Sequence, residues 1–154
     1  MRRAAWVVAA VAALALSACA SDSGNRGNYG EEDPMGAITG EWQLTKGSDA
    51  DGAMVVNGTP VTLVIADEAV SGQGPCNVYG GDATIDGTDV SIGTLTSTMM
   101  ACEDDGRTQL ETRYFAALET VTTSKLGGGD PATLTLSGPD ASLMFTIIEK
   151  RAAN

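Results

Sequence analysis

The chain has 154 residues, 43% of them hydrophobic and 19% charged, with 20 acidic residues against nine basic, no histidine and a net charge of −11. An excess of negative charge repels phosphate, so nucleic acid is excluded as a partner, and the missing imidazole removes histidine-based nucleophilic, acid–base and metal chemistry. Neither S-x-x-K nor G-x-S-x-G occurs, and the expectation is a non-enzymatic protein with no catalytic residues, no cofactor and no bound metal.

Arg2 and Arg3 precede an apolar run from Ala4 to Leu16 that ends in small residues, the pattern of an export signal. The run is too short for a spanning helix, which takes about 20 apolar residues. Leu16-Ser17-Ala18-Cys19 resembles the lipobox of bacterial lipoproteins. The resemblance implies that residues 1–18 are a cleaved signal peptide and that Cys19 is lipidated, with a diacylglyceryl group and palmitate as its anchor. The protein is then expected at the cell envelope, held to a membrane and facing the extracytoplasmic side. An ordinary secretory signal with a chance cysteine is the competing reading.

Removing residues 1–18 takes away Arg2 and Arg3 and no acid, which leaves seven basic residues against 20 acidic. Such a surface does not adsorb to anionic lipid, so attachment has to come from the acyl chains. Residues 19–37, rich in Ser, Gly, Asn and acid, read as a flexible tether. Its roughly 17 coil residues span about 20–25 Å.

The remainder, residues 38–150, is long enough for one domain and too short for two. Short extended runs recur along it. Trp42 and Leu44 alternate with polar neighbours in Glu41 to Thr45, which places both on one face of a strand. Met54-Val55-Val56 and Val61 to Ile65 flank Asn57-Gly58, a strong hairpin signal, although Pro60 delays the second strand. A return strand follows over Glu68 to Gly72. Ala83-Thr84-Ile85 and Val90-Ser91-Ile92 flank a second turn, Asp86 to Asp89, and Leu95 to Met100 is a further extended run.

One segment departs from this rhythm. Leu110, Tyr114, Ala117/Leu118 and Val121 recur at helical spacing between Thr108 and Val121, with Glu111, Arg113 and Glu119 on the other positions. Asp104 or Asp105 is placed to cap the helix. A loop at Gly127 to Pro131 leads to a closing hairpin, Thr133 to Leu136 and Leu143 to Ile148, with Trp42 and Phe145 expected to meet in the core. About eight strands and one helix predict an α+β domain, mostly antiparallel. Long free edges are avoided only if the sheet is strongly bent, or a cracked barrel, with the helix packed across it.

Cys76 and Cys102 remain once Cys19 is assigned to the anchor. In an exported chain a disulfide is the natural pairing. It stabilises by roughly 3 kcal/mol in the chain-entropy model, which is itself disputed. Two reduced core thiols are an alternative; a metal site is a weaker one, because two thiolates alone do not close a tetrahedral zinc shell. Asp49-Ala50-Asp51-Gly52 carries the acids of a calcium loop, yet Gly58 falls where that loop needs a bidentate Glu, so a solvated turn is expected. Glu103-Asp104-Asp105 reads as a helix start. Met99 and Met100 are expected to pack in the core, one inward at a time.

Five blocks stand in a recognisable order: Gly40-Glu41-Trp42-Gln43-Leu44, Pro75-Cys76-Asn77-Val78-Tyr79-Gly80-Gly81, Thr96 to Cys102, Phe115-Ala116-Ala117-Leu118, and Leu134-Thr135-Leu136 with Leu143-Met144-Phe145. Together they resemble the META/HslJ-like domain family, over about Ile38 to Glu149. Two departures are Pro75, inserted between the glycine and the cysteine, and Gly80-Gly81-Asp82 in place of Gly-x-Tyr.

The resemblance implies structural roles for Trp42, Asn77 and Met100, a bent antiparallel sheet with one helix, and no established catalysis. Family members are often exported lipoproteins, and the founding one is heat-inducible and linked to tolerance of an antibiotic. The implied role is therefore an anchored envelope protein of the stress response, with an envelope protein as partner. The alternative is a carrier or sensor of an apolar small molecule or lipid, held in a cavity lined by Ile85, Ile92, Leu110 and Leu118.

Overall fold

A computed structural model describes residues 38–56 and 60–148. The expected signal segment, Cys19, the expected tether up to residue 37 and the expected turn at Asn57-Gly58 lie outside the described residues. Within them, alternating apolar residues line the inside of a sheet that closes on itself.

The first strand, β1 (Gly40–Asp49), buries Trp42 and Leu44 as the alternation predicts. Its register slips between Leu44 and Lys46. A bulge of this kind bends a strand sharply, which lets one long strand serve a curved sheet. β2 (Gly52–Met54) and β3 (Thr62–Ala66) pair with successive lengths of β1. The expected pairing of Met54-Val56 with Val61-Ile65 is therefore corrected, because both segments take β1 as their partner. β1 turns into β2 at Asp49-Ala50-Asp51-Gly52, where the Asp51 amide donates to Asp49 Oδ1 at 2.9 Å and Gly52 has φ of +104°. Only a glycine adopts that conformation without strain.

β4 (Ala69–Gln73), β5 (Val78–Asp86) and β6 (Asp89–Ile92) continue as an antiparallel meander, with β7 (Thr96–Ser97) paired to the start of β5. After the helix come β8 (Thr123–Gly127), β9 (Thr133–Ser137) and β10 (Ser142–Ile147). β10 returns to β1, with Trp42 opposite Ile147 and Leu44 opposite Phe145. The ring thus runs β1-β3-β4-β5-β6-β8-β9-β10 and back to β1. It is uneven. Between β6 and β8 one residue pair, Asp89 with Thr123, is helped by Val90 N–H to the Thr122 carbonyl and Ser124 N–H to the Thr88 carbonyl. The α+β expectation of about eight strands in a cracked barrel holds.

Helix α1 (Asp105–Thr120) starts at an Asp104 cap, whose Oδ1 accepts from the Arg107 amide at 2.8 Å. It packs on β6, β1 and β10, burying Tyr114, Ala117 and Leu118. The inward face begins at Glu111, which is buried, while Leu110 is only half-buried. The apolar periodicity put Leu110 there; Tyr114, Ala117, Leu118 and Val121 are buried as that spacing predicts, and only the first position shifts, to Glu111, because its carboxylate has partners inside. Arg113 fastens the helix to the end of β1, its Nε donating to Asp49 Oδ2 at 2.8 Å and its second nitrogen to Asp49 Oδ1. Another hydrogen bond runs from Arg113 to the Gly52 carbonyl at 2.9 Å.

The expectation for the methionines is overturned. Met99 is 98% exposed and Met100 59% exposed, because the loop that carries them is held through its main chain, which frees both side chains to project.

Phe145 is fully buried, so Phe145→Ala should cost about 3–5 kcal/mol in urea denaturation, whereas Met99→Ala should change stability by less than about 0.5 kcal/mol. The Arg113 hydrogen bonds hold the Asp49 carboxyl below its ordinary value of 3.8. A depressed carboxylate stabilises the fold above its unfolded pKa and loses that contribution as pH falls through the folded one. Asp49→Asn should therefore lower the thermal midpoint at pH 7, and its deficit relative to the parent should close as pH drops below 3.8.

Candidate functional site

Gln73 to Val78 turns the chain from β4 into β5 and crowds Gly, Pro, Cys and Asn into one corner. A turn this tight leaves main-chain N–H groups pointing away from any strand partner, and buried donors need acceptors. Glu111 supplies them from the helix. Its Oε2 accepts from the Cys76 amide at 2.9 Å and the Asn77 amide at 2.6 Å, and its Oε1 accepts from Asn77 Nδ2 at 2.7 Å.

Asn77 then reaches the opposite way. Its Oδ1 accepts from Thr98 Oγ1 at 2.9 Å and from the Met100 amide at 2.7 Å. Its carbonyl accepts from Gly74 N–H at 2.8 Å, and the Gln73 side-chain Nε2 donates to the carbonyls of Gly74 and Cys76. A side chain at position 74 has no room: a Cβ there would lie 2.9 Å from both the Asn77 carbonyl and Glu111 Oε2.

The disulfide joins Cys76 to Cys102, with Cα atoms 5.5 Å apart. It ties the β4–β5 corner to the segment just before the helix, next to the Asn77 and Glu111 hydrogen bonds. Asn77 and Glu111 are buried and the two cysteines half-buried. Sequence reading singled out Cys76, Asn77, Met100 and Cys102, and the fold brings all four together. Met100 contributes its main chain alone. Trp42 stands apart from the cluster in the core, donating from its indole nitrogen to the Ile38 carbonyl at 3.0 Å. Glu111 is what the sequence reading missed, since a lone acid in a helix reads as solvated.

Beneath the corner, Tyr79 and Tyr114 share a hydrogen bond of 2.8 Å between hydroxyls, and Tyr79 donates onward to the Thr62 carbonyl at 2.8 Å. Burial pushes both phenols well above the ordinary value of 10. They are neutral at physiological pH, which suits a structural hydrogen-bond relay and not a general base.

A cleft of about 410 Å³ lies between β2 and the first half of α1, with Ala53, Val55, Asp104, Arg107, Leu110 and Arg113 in its wall. Its two arginines are already matched: Arg107 by Glu103 at 3.3 Å and Asp104 at 3.7 Å, and Arg113 by Asp49. The cleft offers no free cation to an anionic ligand.

The carboxylate cluster is testable by stability. In Glu111→Gln the new NH2 group faces either Asn77 Nδ2 or the two amides, donor against donor, and Asn77 cannot flip because Thr98 and Met100 hold its oxygen. Chemical denaturation should show a loss of about 2–3 kcal/mol, with a smaller loss if the corner relaxes to admit water.

No curated protein matches the sequence. Two structures determined by NMR share the fold. A protein from Burkholderia xenovorans is 27% identical with a TM-score of 0.64, over 77% of this chain and 90% of that one. A second, at 16% identity and a TM-score of 0.50 over 70% of this chain and 88% of its own, shares the fold alone. The META domain model spans residues 36–150, covering the ring, the helix and the disulfide corner. The chain belongs to the META domain family.

Proposed function

We propose that this META domain protein is a non-enzymatic lipoprotein of the bacterial envelope, anchored through Cys19, whose domain serves as an interaction module in envelope or heat stress. The observation that carries the reading is Leu16-Ser17-Ala18-Cys19 behind a basic and apolar leader. Three features support it. The META family is not a known family of enzymes. The chain has no histidine, and the buried tyrosines and carboxylate near the corner are engaged in structural hydrogen bonds. The half-buried disulfide suits an oxidising compartment. No helix among the described residues is long and apolar enough to cross a membrane, so in this reading the acyl chains do the anchoring.

The carrier reading finds less support. Ile85, Ile92 and Leu118 are buried in the core cluster, and the cleft that Leu110 lines is walled largely by exposed residues.

Growth of an expressing bacterium with a clickable fatty acid should label the protein and move it to the membrane fraction, and Cys19→Ala should abolish both. Label that survives Cys19→Ala, or wild-type protein free in the soluble export fraction, contradicts the anchor.

A further inference from the structure

The sequence offers two thiols and no histidine, and two thiolates alone do not close a tetrahedral shell, which is why a metal site there reads as weak. Folding changes the donor set. The Sγ atoms of Cys76 and Cys102 and a carboxylate oxygen of Glu111 all lie within 4.8 Å of one another. Glu111 arrives from helix α1, 35 residues beyond Cys76 in the chain.

We propose that reduction of the Cys76–Cys102 disulfide converts this corner into a binding site for a thiophilic divalent cation of the zinc type, with Cys76, Cys102 and Glu111 as its ligands. The chemistry balances in two steps. A dithiol reductant gives the disulfide two electrons and two protons and leaves as its own disulfide, producing two thiols. The cation then displaces both thiol protons to solvent and is held by two thiolates and the carboxylate, with the fourth position open to water.

Several features of the corner fit such an ion. Two thiolates and a carboxylate are a donor set that zinc accepts. Ligands about 2.3 Å from a tetrahedral ion lie about 3.8 Å apart, so the two sulfurs need to part only modestly, and the Cα spacing of 5.5 Å allows it. Glu111 is already oriented by the Cys76 and Asn77 N–H groups and by Asn77 Nδ2, the supporting hydrogen bonds that ligating carboxylates keep. The carboxylate accepts three hydrogen bonds in all, two at Oε2 and one at Oε1, which leaves a lone pair for the ion. Half-burial of both cysteines gives reductant and cation a way in.

The test uses the full chain carrying Cys19→Ser, in detergent, so that only Cys76 and Cys102 respond. After reduction with a phosphine, Co²⁺ should bind at one ion per chain with a thiolate-to-cobalt charge-transfer band, and Zn²⁺ should displace it and shield both thiols from alkylation. The oxidised protein should show no band. Glu111→Gln, checked for folding by near-ultraviolet circular dichroism in the cold, should bind at least tenfold more weakly. X-ray absorption of the reduced zinc form, which needs no change at Glu111, should count two sulfurs at about 2.3 Å and two lighter atoms at about 2.0–2.2 Å. The proposal is overturned if the reduced chain binds no cobalt, if a folded Glu111→Gln binds as tightly as its parent, or if the zinc shell holds four sulfurs from two chains. Loss of membrane anchoring would leave every one of these readings unchanged, so the two proposals fail separately.

Discussion

The Glu111 carboxylate, accepting from two main-chain amides and one side-chain amide on the far side of the corner, is the contact on which the arrangement of the domain depends. Hydrogen bonds to a charged acceptor are stronger than neutral ones, and here they join elements that no strand pairing connects. The helix leaves the sheet after β7 and re-enters it at β8. Nothing in the β ladder dictates where such an insertion should lie. Glu111 fixes its first half against the β4–β5 corner, and Arg113 on Asp49 fixes it against the end of β1.

Placement of the helix in turn explains how the ring tolerates its weak seam. β6 and β8 share one residue pair, and an open seam of this kind invites water and foreign strands. The helix lies on β6 and ends at Thr120, and the buried Val121 leads from it to β8. Glu119 adds a hydrogen bond to the Leu95 amide at 2.7 Å, covering a donor beyond the end of β6. The disulfide sits at the start of the same helix, so the covalent tie and the carboxylate cluster restrain one and the same insertion. Removing either leaves the other to hold it.

Asn77 shows how one side chain integrates three segments. Its amide nitrogen answers the helix, its oxygen answers the Thr98–Met100 loop, and its main chain closes the turn with Gly74. Aspartate in its place would set a carboxylate against Glu111, and a hydrophobic residue would orphan buried groups on both sides. The exposure of Met99 and Met100 follows from the same device: Asn77 Oδ1 accepts from the Met100 amide and the Val78 carbonyl from the Thr98 amide, so the loop is held by its backbone and the methionine side chains face solvent.

Much of this was legible in the sequence because it depends on near neighbours. Alternation at Trp42 and Leu44, the turn at Asp86 to Asp89, the Asp104 cap and the final hairpin are all set within a few residues, where local sterics and hydrogen bonding decide. β8 escaped notice because Thr-Ser-Lys-Leu-Gly has a single large apolar residue and takes its strand conformation from β9. The partner of β2 escaped because an Asn-Gly pair signals a turn without saying which strand will be met. Cys76, Cys102 and Asn77 could be marked in the chain as a corner worth attention. That the acid meeting them is Glu111, from the buried face of a helix whose periodicity pointed to Leu110, was decided by tertiary structure alone, because a carboxylate is stable inside only where other segments bring it donors, and those donors lie 34 and 35 residues away in the chain.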